Sequence, residues 1–347
     1  MMKRIAVCVA VLSALCAGSS FASDNDLSQA FGDLSGAVQS KPIKSVRPPS
    51  SGGGEPVRII SWNVRTFGRR VKEERAAAFD SILSRLFNQN RNAKVLAIQE
   101  VSNEGGNTHF DEMLPGEDSR WNPSFDNTED SQDNAFYTRE GVEVDCERFV
   151  FDSGSAKSKH PARAAHMRIG DFDFTIVTLH LAFKNGDADD SRRELRHALN
   201  WLKTYLADKG NDPDVILAGD FNLPTRAGKT RSVRSSEGKW APIEDTIDTY
   251  PEFKEGGLVA LVDDLTSRRK GTPANNYDHF LLTKDALEEY VDGSAEAVDD
   301  ESINRIEGQR GINASDHLPI SARFRTGGSG ADGRVIHLDG PGRFCEQ

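Results

Sequence analysis

The stretch Val215-Ile-Leu-Ala-Gly-Asp-Phe-Asn-Leu-Pro224 passes abruptly from an apolar run to a carboxylate and a carboxamide two positions apart. Val215 to Ala218 reads as a buried strand. Gly219 permits close approach of a neighbouring backbone. Side chains of an extended chain alternate faces, so Asp220 and Asn222 are expected to point at one spot beyond the strand's carboxyl end. A carboxylate that activates water or holds a divalent cation, beside an amide that hydrogen-bonds a phosphate oxygen, suits phosphoester hydrolysis. Asp and Asn after a strand also serve turns, and this segment alone leaves both readings open.

Working outward, the same design recurs. Val57-Arg-Ile-Ile-Ser-Trp-Asn63 alternates and then delivers Asn63 to a strand end, with the basic residues Arg65, Arg69, Arg70 and Lys72 directly after it. Lys94-Val-Leu-Ala-Ile-Gln-Glu100 is an apolar strand closing on an acid. Thr175-Ile-Val-Thr-Leu-His-Leu181 places His180 near a terminus, where a lone histidine is ordinarily a satisfied core residue unless its neighbours say otherwise. Tyr277-Asp-His-Phe-Leu-Leu282 begins, rather than ends, with its acid Asp278, and Ser315-Asp-His317 sets Asp316 and His317 just before a last strand, Ile320 to Phe324. One such strand end carries little weight; the repetition shifts the balance towards chemistry.

Between these lie predicted strand pairs, Asn134–Thr138 with Val142–Phe151 and Ala164–Ile169 with Phe172–Leu181, the second turning at Gly170-Asp171. Arg75 to Phe87 is predicted to be an amphipathic helix. Ser191-Arg-Arg-Glu194 has the spacing of a capping box opening a second helix, with Leu195, Leu199, Leu202 and Leu206 as its buried stripe and an end near Gly210. Basic residues recur beside the candidate site, at Arg226, Lys229, Arg231, Arg234, Lys239, Arg268, Arg269 and Lys270, while acids gather elsewhere, at Glu288, Glu289 and Asp299 to Glu301.

The 347 residues allow one large domain or two small ones, and a hydrophobic content of 37% is ample for a core. Met1 to Ala22 has the basic head, short apolar middle and small-residue end of a secretory signal, with cleavage expected after Ala22. Export to a secreted or periplasmic location follows, without membrane insertion. Losing Lys3 and Arg4 takes the formal net charge from −11 to about −13, so any attraction for a polyanion must come from local basic loops. Residues 23–55 are polar and rich in Ser, Gly and Pro, the composition of a flexible linker. Cys146 and Cys345 remain after cleavage. In an oxidising compartment they are expected to pair and tie the tail, 327–347, to the domain, with two free thiols as the alternative.

The segments Ser61-Trp-Asn63, Ala97-Ile-Gln-Glu-Val101, Thr178-Leu-His180, Gly219-Asp-Phe-Asn222, Tyr277-Asp278 and Ser315-Asp-His317, in this order, resemble the endonuclease/exonuclease/phosphatase superfamily, and within it the secreted deoxyribonuclease I branch. The resemblance covers residues 57 to 325 and implies a catalytic domain over 56–326. The implied fold is an α/β four-layer sandwich, two mostly antiparallel sheets with helices on the outer faces. The implied site has Glu100, Asp316 and Asn63 as ligands of Mg²⁺, with Mn²⁺ or Ca²⁺ as alternatives. His317, oriented by Asp278, is the implied general base or phosphate contact, His180 the phosphate contact or general acid, and Asp220 and Asn222 the pair aligning water and substrate. Arg163, Arg65, Arg268 and Arg269 are the expected contacts for substrate phosphate.

The chain departs from that branch where Gln132 or Asp133 stands for a glutamate partner of the first histidine, and where Ser102 stands for a DNA-contacting arginine. His279 has no assigned role. The expected function is a secreted, monomeric, metal-dependent endonuclease acting on DNA or RNA. The competing expectations are a sphingomyelinase or phosphoinositide phosphatase on the same scaffold, and an inactive binding or toxin subunit. The basic, polar loop from Thr225 to Trp240 favours nucleic acid over a lipid surface.

Overall fold

Period-two alternation along the first strand, β1 (Val57–Phe67), generates the layers of the domain. Val57 and Ile59 enter one apolar cluster; Ile60, Trp62 and Val64 enter another on the opposite face. A strand buried on both faces needs an element against each. The computed structural model describes residues 55–346 apart from 69–72, 90–91, 102–105, 115–121, 125–132, 152–160, 183–187, 226–232, 235–239, 242–245, 250, 256, 270–271, 299–313 and 328–342. The expected signal, the expected linker except Glu55, and several of the basic loop residues lie outside the described residues.

The strands after β1 are β2 (Ala93–Val101), β3 (Asn122–Ser124), β4 (Asp133–Thr138), β5 (Glu143–Phe151), β6 (Ala162–Ile169), β7 (Phe172–His180) and β8 (Val215–Asp220). Then follow β9 (Val233–Arg234), β10 (Trp240–Ala241), β11 (Val259–Ala260), β12 (Arg268–Arg269), β13 (Thr272–Pro273), β14 (Asp278–Leu282), β15 (Glu296–Ala297) and β16 (Ile320–Phe324). The first sheet runs in the order β15-β16-β1-β2-β4-β3 and the second β11-β14-β8-β7-β6-β5, while β9-β10 and β12-β13 are small separate ribbons. Each large sheet is antiparallel except for one parallel pair, β1–β2 and β7–β8. A parallel pair needs a crossover. The helix α1 (Glu73–Gln89) lies in the first and α3 (Ala188–Ala207) in the second.

Residues Val95, Ala97 and Phe136 of the first sheet meet Met167, Phe174, Ile176, Ala218 and Phe280 of the second in the inter-sheet core. On the outer face of the first sheet, Phe79, Ile82, Leu83 and Leu86 of α1 pack with Phe110 of α2 (Gly106–Met113). On the outer face of the second, α3 contributes Leu195, Leu199 and Leu202. Full burial of each such side chain contributes roughly 1.5–3 kcal/mol, which explains why the stripe seats the helix. The order helix, sheet, sheet, helix is the expected four-layer sandwich. Tyr205, buried, replaces the half-buried Leu206 in the expected stripe.

The expected capping box is not one. The helix starts at Ala188, and Ser191 Oγ donates instead to the carbonyl of Ala182 (2.6 Å), while Glu194 Oε2 accepts from the Ala182 N–H (2.5 Å). Both side chains face inward and clasp the chain leaving β7, because a nearby strand end offers unsatisfied backbone groups to a buried Ser and Glu. The expected disulfide is present, joining Cys146 of β5 to Cys345 of the short C-terminal helix Arg343–Glu346. Phe344 beside it packs on Trp201 and Tyr205 of α3. No described helix is long and apolar enough to cross a membrane.

Candidate active site

Both sheets present polar groups at one end, and Asn63 joins them. Its Nδ2 donates to Glu100 Oε1 of β2 (3.0 Å) and to Asp220 Oδ2 of β8 (3.0 Å), so a single buried amide links a carboxylate of each sheet. His180 Nε2 lies 3.7 Å from Glu100 Oε1 and 3.6 Å from Asp220 Oδ2. Strand pairing brings these groups together: His180 and Asp220 are partners in the parallel pair, and Asp278 is the antiparallel partner of Asp220. Reversed direction explains why β14 begins with its acid where β8 ends with one. Below the site, Gln99 Nε2 donates to Ser61 Oγ (3.0 Å) and Thr178 Oγ1 (2.9 Å), fixing one sheet against the other.

Alternation alone does not build this pocket. Asn63 and Gln99 are register partners, so a regular β2 would turn Glu100 to the opposite face. Glu100 has φ 64°, and Arg65 and Thr66 opposite it have φ 48°, with the register shifting between Asn63 and Phe67. Left-handed backbone at non-glycine residues costs of order 1–3 kcal/mol each, and here it swings Glu100 into line. The N–H and hydroxyl of Thr66 both donate to Glu100 Oε2, at 2.9 and 3.1 Å.

Asn222 also departs from the expected alternation. Its φ is 50°, its N–H donates to Asp220 Oδ1 (2.9 Å), and its Nδ2 donates to the Leu181 carbonyl (2.8 Å). The residue therefore closes a turn and orients Asp220, and its amide nitrogen is occupied by backbone. Gly219, by contrast, does what its position implies: an added Cβ would lie 2.0 Å from the carbonyl oxygen of Leu179.

His317 sits between two carboxylates, its Nδ1 2.8 Å from Asp278 Oδ2 and its Nε2 3.4 Å from Asp220 Oδ2. Ser315 Oγ donates to the carbonyl of Asn63 (2.7 Å) and accepts from the His317 N–H (3.1 Å), while Trp62 Nε1 donates to the His317 carbonyl (3.0 Å). Burial disfavours a charged ring, but Asp278 and Asp220 outweigh it and lift His317 well above the usual imidazole value. Burial drives His180 down to about 3, with His317 adding to the fall. Asp220 is pushed up to about 7 by burial, against the pull of His317, with Asp278 and Glu100 adding to the rise. Two imidazoles in one pocket are thus held in opposite charge states.

The remaining expected residues are placed as follows. Arg65 Nη1 is 3.4 Å from Asp316 Oδ2, both partly exposed at the rim. Arg163 is buried, ion-paired with Glu147 and stacked 5.2 Å above the Phe149 ring, so it braces β5 against β6 and is not displayed to solvent for a phosphate. Sequence reading missed this because its partner lies on a different predicted strand. Arg268 and Arg269 form β12, but their side chains lie outside the described set, as does Gln132. His279 is buried, and its Nε2 donates to the carbonyl of Leu223 (2.8 Å), a structural role. Arg75, in no quoted motif, donates to the carbonyls of Val64 (2.6 Å), Arg65 (2.5 Å) and Ala314 (2.7 Å), joining the two segments that carry Thr66 and His317.

The donor set fits a hard divalent cation: the Glu100 carboxylate is oriented by Asn63 and Thr66, and Asp220 and Asp278 both face the one imidazole held charged, His317. Asp220, Asp278 and His317 each offer a ligand atom within 4.8 Å of the others.

Residues 60–317 match the profile of the Endonuclease/Exonuclease/phosphatase family. No curated protein matches the chain in sequence. Among solved structures, an endonuclease/exonuclease/phosphatase family protein from Bacteroides thetaiotaomicron superposes with a TM-score of 0.54 at 13% identity, covering 80% of this chain and 97% of that one. TDP2 from D. rerio, in complex with a single-strand DNA product, gives 0.53 at 14% identity over 78% and 99%. ANGEL2, described as a 2′,3′-cyclic phosphatase, gives 0.52 at 12% over 78% and 95%. At such identities the likeness is one of fold. The family profile carries the family, and neither it nor these neighbours carry the narrower deoxyribonuclease I branch.

Proposed function

Because the chain belongs to the endonuclease/exonuclease/phosphatase family, we propose that it is an exported, divalent-cation-dependent phosphodiesterase that hydrolyses nucleic acid, DNA foremost. The carrying observation is the convergence of Glu100, Asp220 and His180 around Asn63, with His317 held by Asp278 on the same side. Splitting a phosphodiester requires an activated water, charge neutralisation at the phosphoryl oxygens and a proton for the leaving oxygen. When bound, Mg²⁺ held by Glu100, with Asn63 and Asp316 beside it, would supply charge neutralisation.

The chain's own residues supply the rest. Asp220, fixed by the Asn222 N–H and the Asn63 amide, accepts the proton of the attacking water. His317, whose Nε2 faces Asp220 while Asp278 holds its other edge, hydrogen-bonds a phosphoryl oxygen. His180, held neutral by burial, reaches the same space from β7 as a hydrogen-bonding contact for the phosphate, and the charged His317 holds the proton that the leaving oxygen needs. Arg65 at the rim offers sequence-independent attraction for a phosphate backbone. The TDP2 structure with a DNA product supports a nucleic acid substrate for this fold. The Cys146–Cys345 disulfide supports export, since such bonds persist in oxidising compartments.

The deciding experiment incubates purified protein with supercoiled plasmid, RNA and sphingomyelin vesicles, with Mg²⁺ and with EDTA. Nicking of plasmid only with Mg²⁺ is expected. Hydrolysis of sphingomyelin alone would overturn the nucleic acid assignment.

A further inference from the structure

The opposite end of the second sheet carries another group of ligating side chains, unused by the site above. His166 of β6 is the register partner of Thr175 of β7, whose hydroxyl meets Tyr205 of α3 at 2.7 Å, so His166 lies on the helix-facing side. Asp173, two positions before Thr175, shares that side, and Asp212 arrives from the segment entering β8. His166, Asp173 and Asp212 each present one ligand atom, all within 4.8 Å of one another. Asp173 and His180 are seven residues apart along β7, which puts this group roughly 23 Å from the catalytic end.

Its internal geometry is that of a metal-binding imidazole. His166 Nδ1 is 2.8 Å from Asp145 Oδ2 of β5, close enough to fix the Nδ1–H tautomer, while Nε2 faces Asp212 Oδ2 at a long 3.4 Å. The other oxygen of Asp212 accepts from the Asp214 N–H (2.7 Å), which holds that carboxylate in place. A ligating histidine characteristically donates its far N–H to a carboxylate and leaves the near lone pair for the cation. His166 and Asp212 are buried, whereas Asp173 is only partly so, leaving one side of the group open to solvent. A proton on Nε2 would answer Asp145 and Asp212 and leave the third carboxylate over. A divalent cation brings two positive charges to the three carboxylates where the ring proton brings one, and the nearby Arg168 is already engaged by Glu143 (3.1 Å).

We propose that His166, Asp173 and Asp212 form a second cation site, with Asp145 as the carboxylate behind the ligating imidazole. One nitrogen with carboxylate oxygens selects a borderline transition ion, Zn²⁺, over the hard ions that suit Glu100. Its ligands come from β6, β7 and the entry to β8, so occupancy pins three neighbouring pieces of the sheet and raises stability by mass action. The site stands independently of the catalytic reading.

The test is Zn²⁺ binding by equilibrium dialysis and Zn²⁺-dependent thermal unfolding, on the full chain and its variants in a Glu100→Gln/His317→Gln background that removes ligands from the catalytic end, Glu100 and the Asp220–Asp278–His317 group. Uptake of one Zn²⁺ and a rise in Tm are expected in that background. Asp173→Asn, a near-isosteric change at a partly buried position, is expected to weaken binding by at least about tenfold, and His166→Gln to abolish it. On the wild-type background, Asp173→Asn leaves Mg²⁺-dependent phosphodiester hydrolysis unchanged. In the side-chain ¹H–¹⁵N spectrum, Zn²⁺ shifts Nε2 of His166 and leaves Nδ1 protonated. Undiminished Zn²⁺ uptake in Asp173→Asn and His166→Gln, or a His166 ring still doubly protonated at saturating Zn²⁺, would overturn the proposal.

Discussion

His317 Nδ1 lies 2.8 Å from Asp278 Oδ2, and the opposite ring nitrogen lies 3.4 Å from Asp220 Oδ2. The imidazole is therefore aimed along one line by residues from β14 and β8. Asp278→Asn preserves the shape but removes the carboxylate that does most to keep His317 charged, and can present an N–H to Nδ1 that a charged ring cannot accept. We expect kcat on a fluorescent oligonucleotide duplex to fall by roughly 10²–10⁴, the range seen when such an orienting carboxylate is lost, with KM little changed. Full activity in this variant would remove the pair from the mechanism.

Cation dependence follows from Glu100, whose two oxygens are held by Asn63 and Thr66. EDTA should abolish plasmid nicking and excess Mg²⁺ restore it. Glu100→Gln keeps the hydrogen-bonding volume and loses the charge. The Mg²⁺ concentration giving half-maximal rate is expected to rise by roughly tenfold or more. An unshifted Mg²⁺ titration curve would assign the cation to other ligands.

Gly219 is required by a close approach that no side chain survives, its missing Cβ falling 2.0 Å from the Leu179 carbonyl oxygen. Gly219→Ala must push β8 away from β7, which separates Asp220 from its register partner His180. A loss of about 3 kcal/mol in urea unfolding, together with loss of activity, is expected. Retention of both would mean that the strands relax independently of the site.

Much of this geometry is legible in the chain. Strand ends at His180 and Asp220, and the bounds of the last strand, follow from alternation and apolar runs, because a sheet buried on both faces leaves few other registers, whereas β1 runs on past Asn63 to Phe67. What escapes is where a strand stops being regular. Glu100 and Asn222 reach their places through left-handed backbone, which local preference disfavours and only the assembled site imposes. Arg163 reads as a phosphate contact and Ser191 as a helix cap because their partners, Glu147 and Ala182, come near only in the folded chain. Arg75 shows the same limit: nothing in its helix announces three carbonyls waiting at a strand end.

That arginine supports the site without touching its centre. Its guanidinium joins the Val64–Arg65 segment to Ala314, and burial, with Arg65 nearby, lowers its pKa from the usual arginine value. Arg75→Ala leaves those carbonyls without their donor, and we expect about 1–3 kcal/mol of destabilisation and a lower kcat. Arg75→Lys should recover little, since an ammonium cannot reproduce the planar fork. Complete recovery by lysine would show that only charge matters there.

Away from the site, Glu289 gives a pH dependence of known sign. Its carboxyl is half-buried, its Oε2 finds no hydrogen-bond partner among the described residues, and burial, with Glu288 and Asp212 adding and Arg325 opposing, pushes it up to about 7. A carboxyl raised in the folded state binds its proton more tightly there than in the unfolded chain. Its contribution to stability is full below the ordinary glutamate value, about 4.5, and is lost as pH rises through about 7. Glu289→Gln stays neutral throughout and escapes that loss. The variant is expected to gain on the wild type between those limits and to be about 1 kcal/mol more stable at pH 8, after discounting for solvent screening. Urea unfolding of both proteins at pH 5 and pH 8 measures the difference, and an equal gap at the two pH values would show that Glu289 ionises as freely folded as unfolded.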